Sequence, residues 1–327
     1  MKTNLPLLAV TIVGSMADFF TVAVHADTFG SGANVFDIDF VVIGNAGNAA
    51  DPTTGYGAVP YEYRMGKYEI SKDQITKAIA SGAISIGTGG PWSANQPAGG
   101  MTWFQIAAYV NWLNTSTGHS KAYNVNAGST GMTLWTPGDA GYDASNLFRN
   151  RNAFYFLPSD NEFYKAAYFD PNKPGGAGYW LYATGSDTAP TPVTGATATG
   201  APGTAVYGVP ISGSAQPAAV NLAGGPSPYG TVGQSGNSWD YLETASDGIN
   251  DNPSEFRVER GGTVVVNFGG QESDLRSSTR GSGFPISAIS EVGFRVASVP
   301  EPSSACLIGL SAFLLAGRRK RKDRVTG

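Results

Sequence analysis

The chain has 327 residues, among them 44 Gly, 20 Pro, 2 His and 1 Cys, and a formal net charge of -4 at pH 7. Between Asp27 and Pro302 there are 14 Lys and Arg against 23 Asp and Glu, so no clustered basic surface is left to neutralise phosphates, and nucleic acid is excluded as a partner. Cys306 lies in the C-terminal apolar stretch and His119 is the one imidazole beyond residue 26, so the body of the chain cannot build a disulfide, a thiol nucleophile or a site with two imidazoles.

Met1-Lys2 gives a positive start, Leu5 to Val24 is largely apolar although Asp18 interrupts it, and Val24-His25-Ala26 places small residues where signal peptidase reads them. Residues 1–26 are therefore expected to be an export signal, with the mature chain starting near Asp27. The roughly 275 residues that follow suit one domain, residues 27–299, rather than two.

Phe36 to Ile43 alternates as Phe-Asp-Ile-Asp-Phe before Val-Val-Ile and predicts a strand, and Tyr61 to Ile70 alternates more loosely. Between them Asn45, Asn48 and Asp51 with Gly47 and Gly55 predict a polar turn, a metal site being the alternative. Ser71-Lys72-Asp73-Gln74 reads as a capping box opening a helix, with Ile75, Ala78 and Ile79 inward. Thr102-Trp103-Phe104-Gln105 repeats that logic, and Trp103, Ile106, Ala107, Val110 and Leu113 form the stripe of a second helix ending near Asn114. Trp112 follows the stripe into the core, whereas His119, in Thr115-Ser116-Thr117-Gly118-His119-Ser120, belongs to a polar surface loop. Ser159-Asp160-Asn161-Glu162 starts a third helix, with Phe163, Ala166, Ala167 and Phe169 inward and Lys165 and Asp170 toward water.

Ala183 to Gly230 is dominated by Gly, Ala, Pro, Ser and Thr and is expected to be a long mobile excursion, an interdomain linker being the alternative. Trp180 and Tyr182, at its edge, are expected to be exposed and with Trp239 to offer stacking faces to a sugar or peptide. Asp247 to Glu255 clusters hard oxygen ligands of the kind calcium takes, but Pro253 interrupts the run and a solvated turn is expected. Thr263 to Phe268, rich in Val, predicts a further strand. Few strands between long irregular segments make the fold class α+β. Glu162, Asp240, Glu243 and Asp247 are the carboxylates from which a glycosidase pair would have to be drawn.

At the C-terminus, Val299-Pro300-Glu301-Pro302 precedes an apolar stretch from Ala305 to Ala316 and the basic run Arg318-Arg319-Lys320-Arg321-Lys322. The prolines end the preceding fold, and about a dozen apolar residues fall short of the ~20 that a spanning helix needs. This order resembles the PEP-CTERM sorting signal of Gram-negative bacteria, which the membrane protease exosortase reads and cuts; an ordinary C-terminal anchor is the alternative. The resemblance implies that residues 300–327 are a sorting tail with Pro300, Glu301 and Pro302 as its motif. It also implies export to the cell envelope or extracellular matrix, with a transient membrane anchor.

A second resemblance covers Phe36 to Ala297. Tyr68-Glu69-Ile70-Ser71, Met101-Thr102-Trp103, Asn111-Trp112-Leu113 and Leu157 to Ala167 stand in the order of the formylglycine-generating enzyme, or sulfatase-modifying factor, family. Gly236-Asn237-Ser238-Trp239-Asp240, Arg260-Gly261-Gly262 and Gly293-Phe294-Arg295-Val296 continue it. The resemblance implies a variant of the C-type-lectin-like fold with little regular structure. It also implies what this chain lacks: the cysteine pair with which family members hold copper and oxidise a sulfatase cysteine has no counterpart in Leu275 to Glu291, nor do the histidines of relatives that add sulfur. The family's calcium ligands map to Gly236, Ser238 and Asp240, with Asp240 where Glu is usual and Gly233 where Asp or Asn is expected.

The sequence thus predicts an exported, non-catalytic binding or structural module without a certain cofactor, calcium being the candidate. Signal peptidase and an exosortase-type protease are its processing partners, and an extracellular polysaccharide or envelope protein its target. A carboxylate-dependent hydrolase acting on extracellular polysaccharide is the alternative.

Overall fold

The computed structural model describes residues 24–82, 84–211 and 215–300, so nearly all of the expected export signal and the tail beyond Pro300 lie outside the described residues. Phe36 to Ile43 forms strand β2 over the predicted range, its alternation putting Phe36, Ile38 and Phe40 on the buried face. Strand β1 (Val24–Phe29) pairs antiparallel with it and strand β3 (Tyr63–Gly66), shorter than the sequence suggests, lies on its other side. The strands Ala297–Ser298 and Tyr155–Phe156 complete a five-stranded antiparallel sheet. A second sheet runs in the order Gly281–Gly283, Arg257–Arg260, Trp239–Ala245 and Val292–Gly293, the last pair parallel.

All three capping boxes form. Ser71 opens α1 (Lys72–Ala80), Thr102 opens α2 (Trp103–Ser116) and Ser159 opens α3 (Asp160–Tyr168), each accepting from the amide three residues on while that residue's side chain accepts from the cap amide. α2 supplies the centre of the main core: Trp103, Ile106, Ala107, Val110 and Leu113 are fully buried, in one cluster with Phe40 and Tyr155 of the first sheet and Trp239 and Tyr241 of the second. α3 covers the other side of the second sheet, where Phe163, Ala167 and Tyr168 meet Leu242 and Val258.

Three expectations are corrected. Lys165 does not face water: it is buried, and its Nζ donates to the carbonyl of Asn45 at 3.0 Å. Thr263 to Phe268 is not a strand but an irregular segment ending in a 3-10 turn (Val266–Phe268), and Val264 and Val265 are buried because they pack on a satellite core. Ala183 to Gly230 is not a free excursion. It carries a parallel pair, Thr191–Val193 with Thr204–Val206, and contributes Ala198, Val206, Ala215, Ala218 and Ala223 to that satellite core.

Candidate functional site

The second sheet and the N-terminus of α3 bring together a polar cleft of about 460 Å³, lined among others by Tyr56, Asn146, Asp160, Glu243, Asn250 and Arg280. A second cavity of about 500 Å³ adjoins it, lined by Tyr61, Arg149, Arg151, Phe156, Val299 and Pro300, with Ser145 and Asn146 common to both.

Each carboxylate at the cleft has a place in a network. Glu162, buried as the third residue of α3, accepts from the Ser159 amide at 2.6 Å and from the Tyr61 hydroxyl at 2.7 Å, and Arg149 Nη1 lies 3.5 Å away. Glu243, buried on the strand Trp239–Ala245, accepts from the Tyr123 hydroxyl at 2.7 Å, from Arg149 Nε at 3.1 Å and from the Asn146 amide. Arg149 thus bridges both carboxylates while its guanidinium stacks 4.1 Å from the Phe156 ring centre. Asp160 is clamped by Arg260 at 2.7 Å and Arg280 at 2.8 Å. Asn250 donates to Asn146 Oδ1 at 2.9 Å, extending the network to the cleft mouth. Burial pushes the Glu243 carboxyl above its ordinary range, against the pull of Arg149, and Glu162 adds to the rise. Of the four carboxylates named from the sequence, Glu162 and Glu243 converge on Arg149. Asp247 lies on the cleft rim, capping its own turn by accepting from the Ile249 amide at 2.8 Å, and Asp240 is elsewhere.

Asp240 is fully buried beside Arg295, whose Nε donates to Oδ2 at 2.9 Å. Gly236, at φ +78°, is pressed against the carbonyl of Val206, and the Ser238 hydroxyl donates to the Glu291 carbonyl at 3.0 Å. The Asp240 carboxylate is thus already paired with a guanidinium, and Ser238 spends its hydroxyl on a backbone carbonyl. Among the described residues no group of three or more His, Cys, Asp or Glu is placed to hold a metal. Glu69 shares the region: its Oε2 accepts from Asn237 Nδ2 at 2.8 Å, while Oε1 and Asp240 Oδ1 find no hydrogen-bond partner. Burial, reinforced by the Asp240 charge and opposed by Arg295, raises the Glu69 carboxyl well above its usual range.

The aromatic residues expected at the surface are largely enclosed. Tyr182 is 2 % exposed and its hydroxyl bonds to Glu272, so its face does not meet solvent. Trp239 is 8 % exposed, its indole donating to the Phe268 carbonyl at 2.8 Å and wedged beside Gly269 and Gly281. Trp180 is half-buried, donating to Asp170 at 3.0 Å beneath the Lys173 ammonium, 4.0 Å from its ring centre. His119 is exposed, as its polar surroundings predict, and stacks on Phe154 with ring centres 4.4 Å apart. Sequence reasoning missed Asn146, Arg149 and Arg280, which come from irregular segments with no period or motif to mark them; only the tertiary fold assembles them.

A five-stranded and a four-stranded sheet with three two-stranded ones, three capped helices and long packed irregular segments define, among the described residues, an α+β domain of the formylglycine-generating-enzyme-like variety of the C-type-lectin-like fold. Residues 38–299 match the family model for the sulfatase-modifying factor enzyme 1-like domain, and the chain belongs to that family. Residues 298–322 match the PEP-CTERM protein-sorting motif, so the chain carries the signal for export and exosortase-type sorting. No curated protein matches the chain. Among solved structures, variable protein 1 of Treponema denticola is similar at 19 % identity and a TM-score of 0.55, over 84 % of this chain and 99 % of that one. CarF is similar at 17 % identity and a TM-score of 0.52, over 81 % of this chain and 99 % of that one. These likenesses are of fold alone. No helix among the described residues is long and apolar enough to cross a membrane.

Proposed function

We propose that this chain is a non-catalytic binding module, exported to the envelope or extracellular matrix of a Gram-negative bacterium as residues 27–299 plus a sorting tail, whose ligand is a polar polymer such as an extracellular polysaccharide. The observation that carries the reading is the state of the cleft carboxylates. A glycosidase needs one carboxyl free to protonate the leaving oxygen and a second free to attack or to activate water. Glu162 and Glu243 are instead tied to one guanidinium and to the Tyr61 and Tyr123 hydroxyls, and Asp160 to two further guanidiniums. What the cleft offers a ligand is the hydrogen-bonding capacity that the amides and hydroxyls of Ser145, Asn146, Asn161, Ser246 and Asn250 keep beyond the internal bonds each makes, beside the half-exposed Tyr56 ring. Such side chains suit the vicinal hydroxyls of sugars. Trp180 keeps some exposure outside the cleft, whereas burial leaves Tyr182 and Trp239 supporting roles.

The test is a glycan array probed with the purified exported chain, with and without calcium, followed by the Asn146→Ala and Tyr56→Ala variants. Saturable binding that is indifferent to calcium and lost in those variants is the expected result. Release of reducing ends from a bound glycan, abolished in Glu243→Gln, would instead establish the hydrolase.

A further inference from the structure

The polar cleft and the second cavity share Ser145 and Asn146 as a common wall, and each has one tyrosine whose ring keeps open surface. Tyr56 lines the cleft, half-buried, with the Arg260 guanidinium 4.8 Å from its ring centre. Tyr61 lines the second cavity and is 45 % exposed. Its hydroxyl is fixed on Glu162 Oε1 at 2.7 Å, and its ring stands across that of Tyr63 at 77°, with centres 6.3 Å apart. The side chain is thus set before a ligand arrives, and an aromatic face held in that way loses little conformational entropy on binding. Phe156, the other ring of that cavity, offers no such face, because the Arg149 guanidinium covers it at 4.1 Å.

Together the two spaces are lined by five carboxylates, Glu62, Asp143, Asp160, Glu243 and Asp247, and by three guanidiniums, Arg149, Arg151 and Arg280. None of the three is left for an anion. Arg149 bridges Glu162 and Glu243, and Arg280 holds Asp160. Arg151 faces Asp143, whose carboxyl the Ser145 hydroxyl and amide, and then this guanidinium, hold below the usual range. A uronate, sulfate or phosphate on a ligand therefore meets an excess of negative charge and no uncommitted cation among the lining residues. The acids are committed as well, Asp143 to Ser145, Asp160 to its two guanidiniums and Asp247 to the Ile249 amide, which leaves no convergent pair of them to grip an ammonium.

We propose that the cleft and the second cavity are one groove, crossing over Ser145 and Asn146, that takes successive sugars of an uncharged polysaccharide, one stacked at Tyr56 and another, further along the chain, at Tyr61. The inference rests on the glycan-binding reading and deepens it: the ligand is selected by its length and by its lack of charge. A groove with two stacking platforms rewards a long chain over a short one, because the second contact is made by a chain already bound at the first.

The test uses the purified exported chain and oligosaccharides of graded length, disaccharide to octasaccharide, in three series: neutral oligomers of glucose, galactose and mannose, galacturonate oligomers, and glucosamine oligomers. The expected result is binding within the neutral series that strengthens roughly tenfold or more from the shortest members to the longest and changes little with salt. Tyr61→Ala should reduce that gain with length several-fold, and Tyr61→Phe, which keeps the ring, should restore it. A role of Tyr61 confined to its hydroxyl bond with Glu162 would make the Phe variant fail as badly as the Ala variant, and so overturn the stacking platform. Affinity that does not depend on length, a gain unchanged in Tyr61→Ala, or a preference for the galacturonate or glucosamine series overturns the groove while leaving glycan binding in place. Absence of binding to all three series removes the glycan reading itself, and this inference with it.

Discussion

Glu259 shows what burial alone does to a carboxyl. It stands on the strand Arg257–Arg260 opposite Tyr241, 8 % exposed, with Oε1 lacking a partner and Gly283 lying so close above it that a Cβ there would strike the carboxylate. Burial lifts its pKa from 4.5 to about 7, only partly offset by Tyr241. The folded state therefore holds a proton that the unfolded chain releases at lower pH. The sign follows: this contribution to stability is complete below pH 4.5 and is lost as pH rises through about 7. The shift corresponds to about 3 kcal/mol as an upper bound. Glu259→Gln keeps the shape and removes the titration, so its urea midpoint should change less between pH 5 and pH 8 than that of the parent. Glu69, Asp240 and Glu243, also raised chiefly by burial, bias the parent in the same direction. An equal pH response in the variant and the parent would show that Glu259 is ionised in the fold at both pH values.

At the level of elements, α3 joins local chemistry to the candidate site. Its capping box satisfies the first amides, and the same Glu162 that completes the box turns its other oxygen to Tyr61 and Arg149. Ser159→Ala should cost ~1 kcal/mol in unfolding free energy, the usual loss for a helix N-cap. Because Glu162 would lose part of its anchorage, the same change should weaken ligand binding at the cleft, whereas Ser71→Ala on α1 should lower stability alone. The helix starts and β2 were legible because their signals are short-range: a side chain meets an amide three residues away, or alternates across a strand. Segments governed by long-range packing were not legible. In Ala183 to Gly230 the small residues allow close backbone approach, Gly224 lying against the Thr204 carbonyl and Gly195 against those of Gln216 and Pro217, so a composition that reads as loose belongs to a tight layer. The Val-rich run near Val265 reports burial, and the left-handed turns at Gly261, Gly262 and Gly269 on either side leave it no strand partner of the expected length. The cleft had one legible corner, Ser159 to Glu162 with Glu243; its arginines and asparagines come from segments some 100 residues apart in the chain.

Across the whole molecule, Arg64 ties the expected first residue of the mature chain to the last strand before the sorting motif. From β3 its guanidinium reaches over the Phe40 ring, 4.7 Å from its centre, to the Asp27 carboxylate at 2.9 and 2.6 Å, and its Nε donates to Ser298 Oγ at 2.8 Å. Tyr155 adds a bond to the same Asp27 carboxylate at 2.8 Å. Strand β1 begins at Val24, yet Val24, His25 and Ala26 are exposed and Asp27 is the first residue whose side chain is held. A cut after Ala26 removes three of the six rungs on β2 but spares the side-chain hydrogen bonds of Asp27 and Thr28, and mass spectrometry of the exported protein should find Asp27 at its N-terminus. A start at Thr28 or later would remove the carboxylate from a guanidinium that is 1 % exposed. Replacing one partner of so buried a pair is costly even when other bonds remain, so Asp27→Asn should lose on the order of 2 kcal/mol of stability. Asp37→Asn is the control: its carboxylate is exposed and among the described residues accepts from Thr28 alone, at 2.6 Å, and it should change stability by less than ~0.5 kcal/mol. Equal losses at the two positions would mean that the Arg64 link does not hold the ends of the exported domain together.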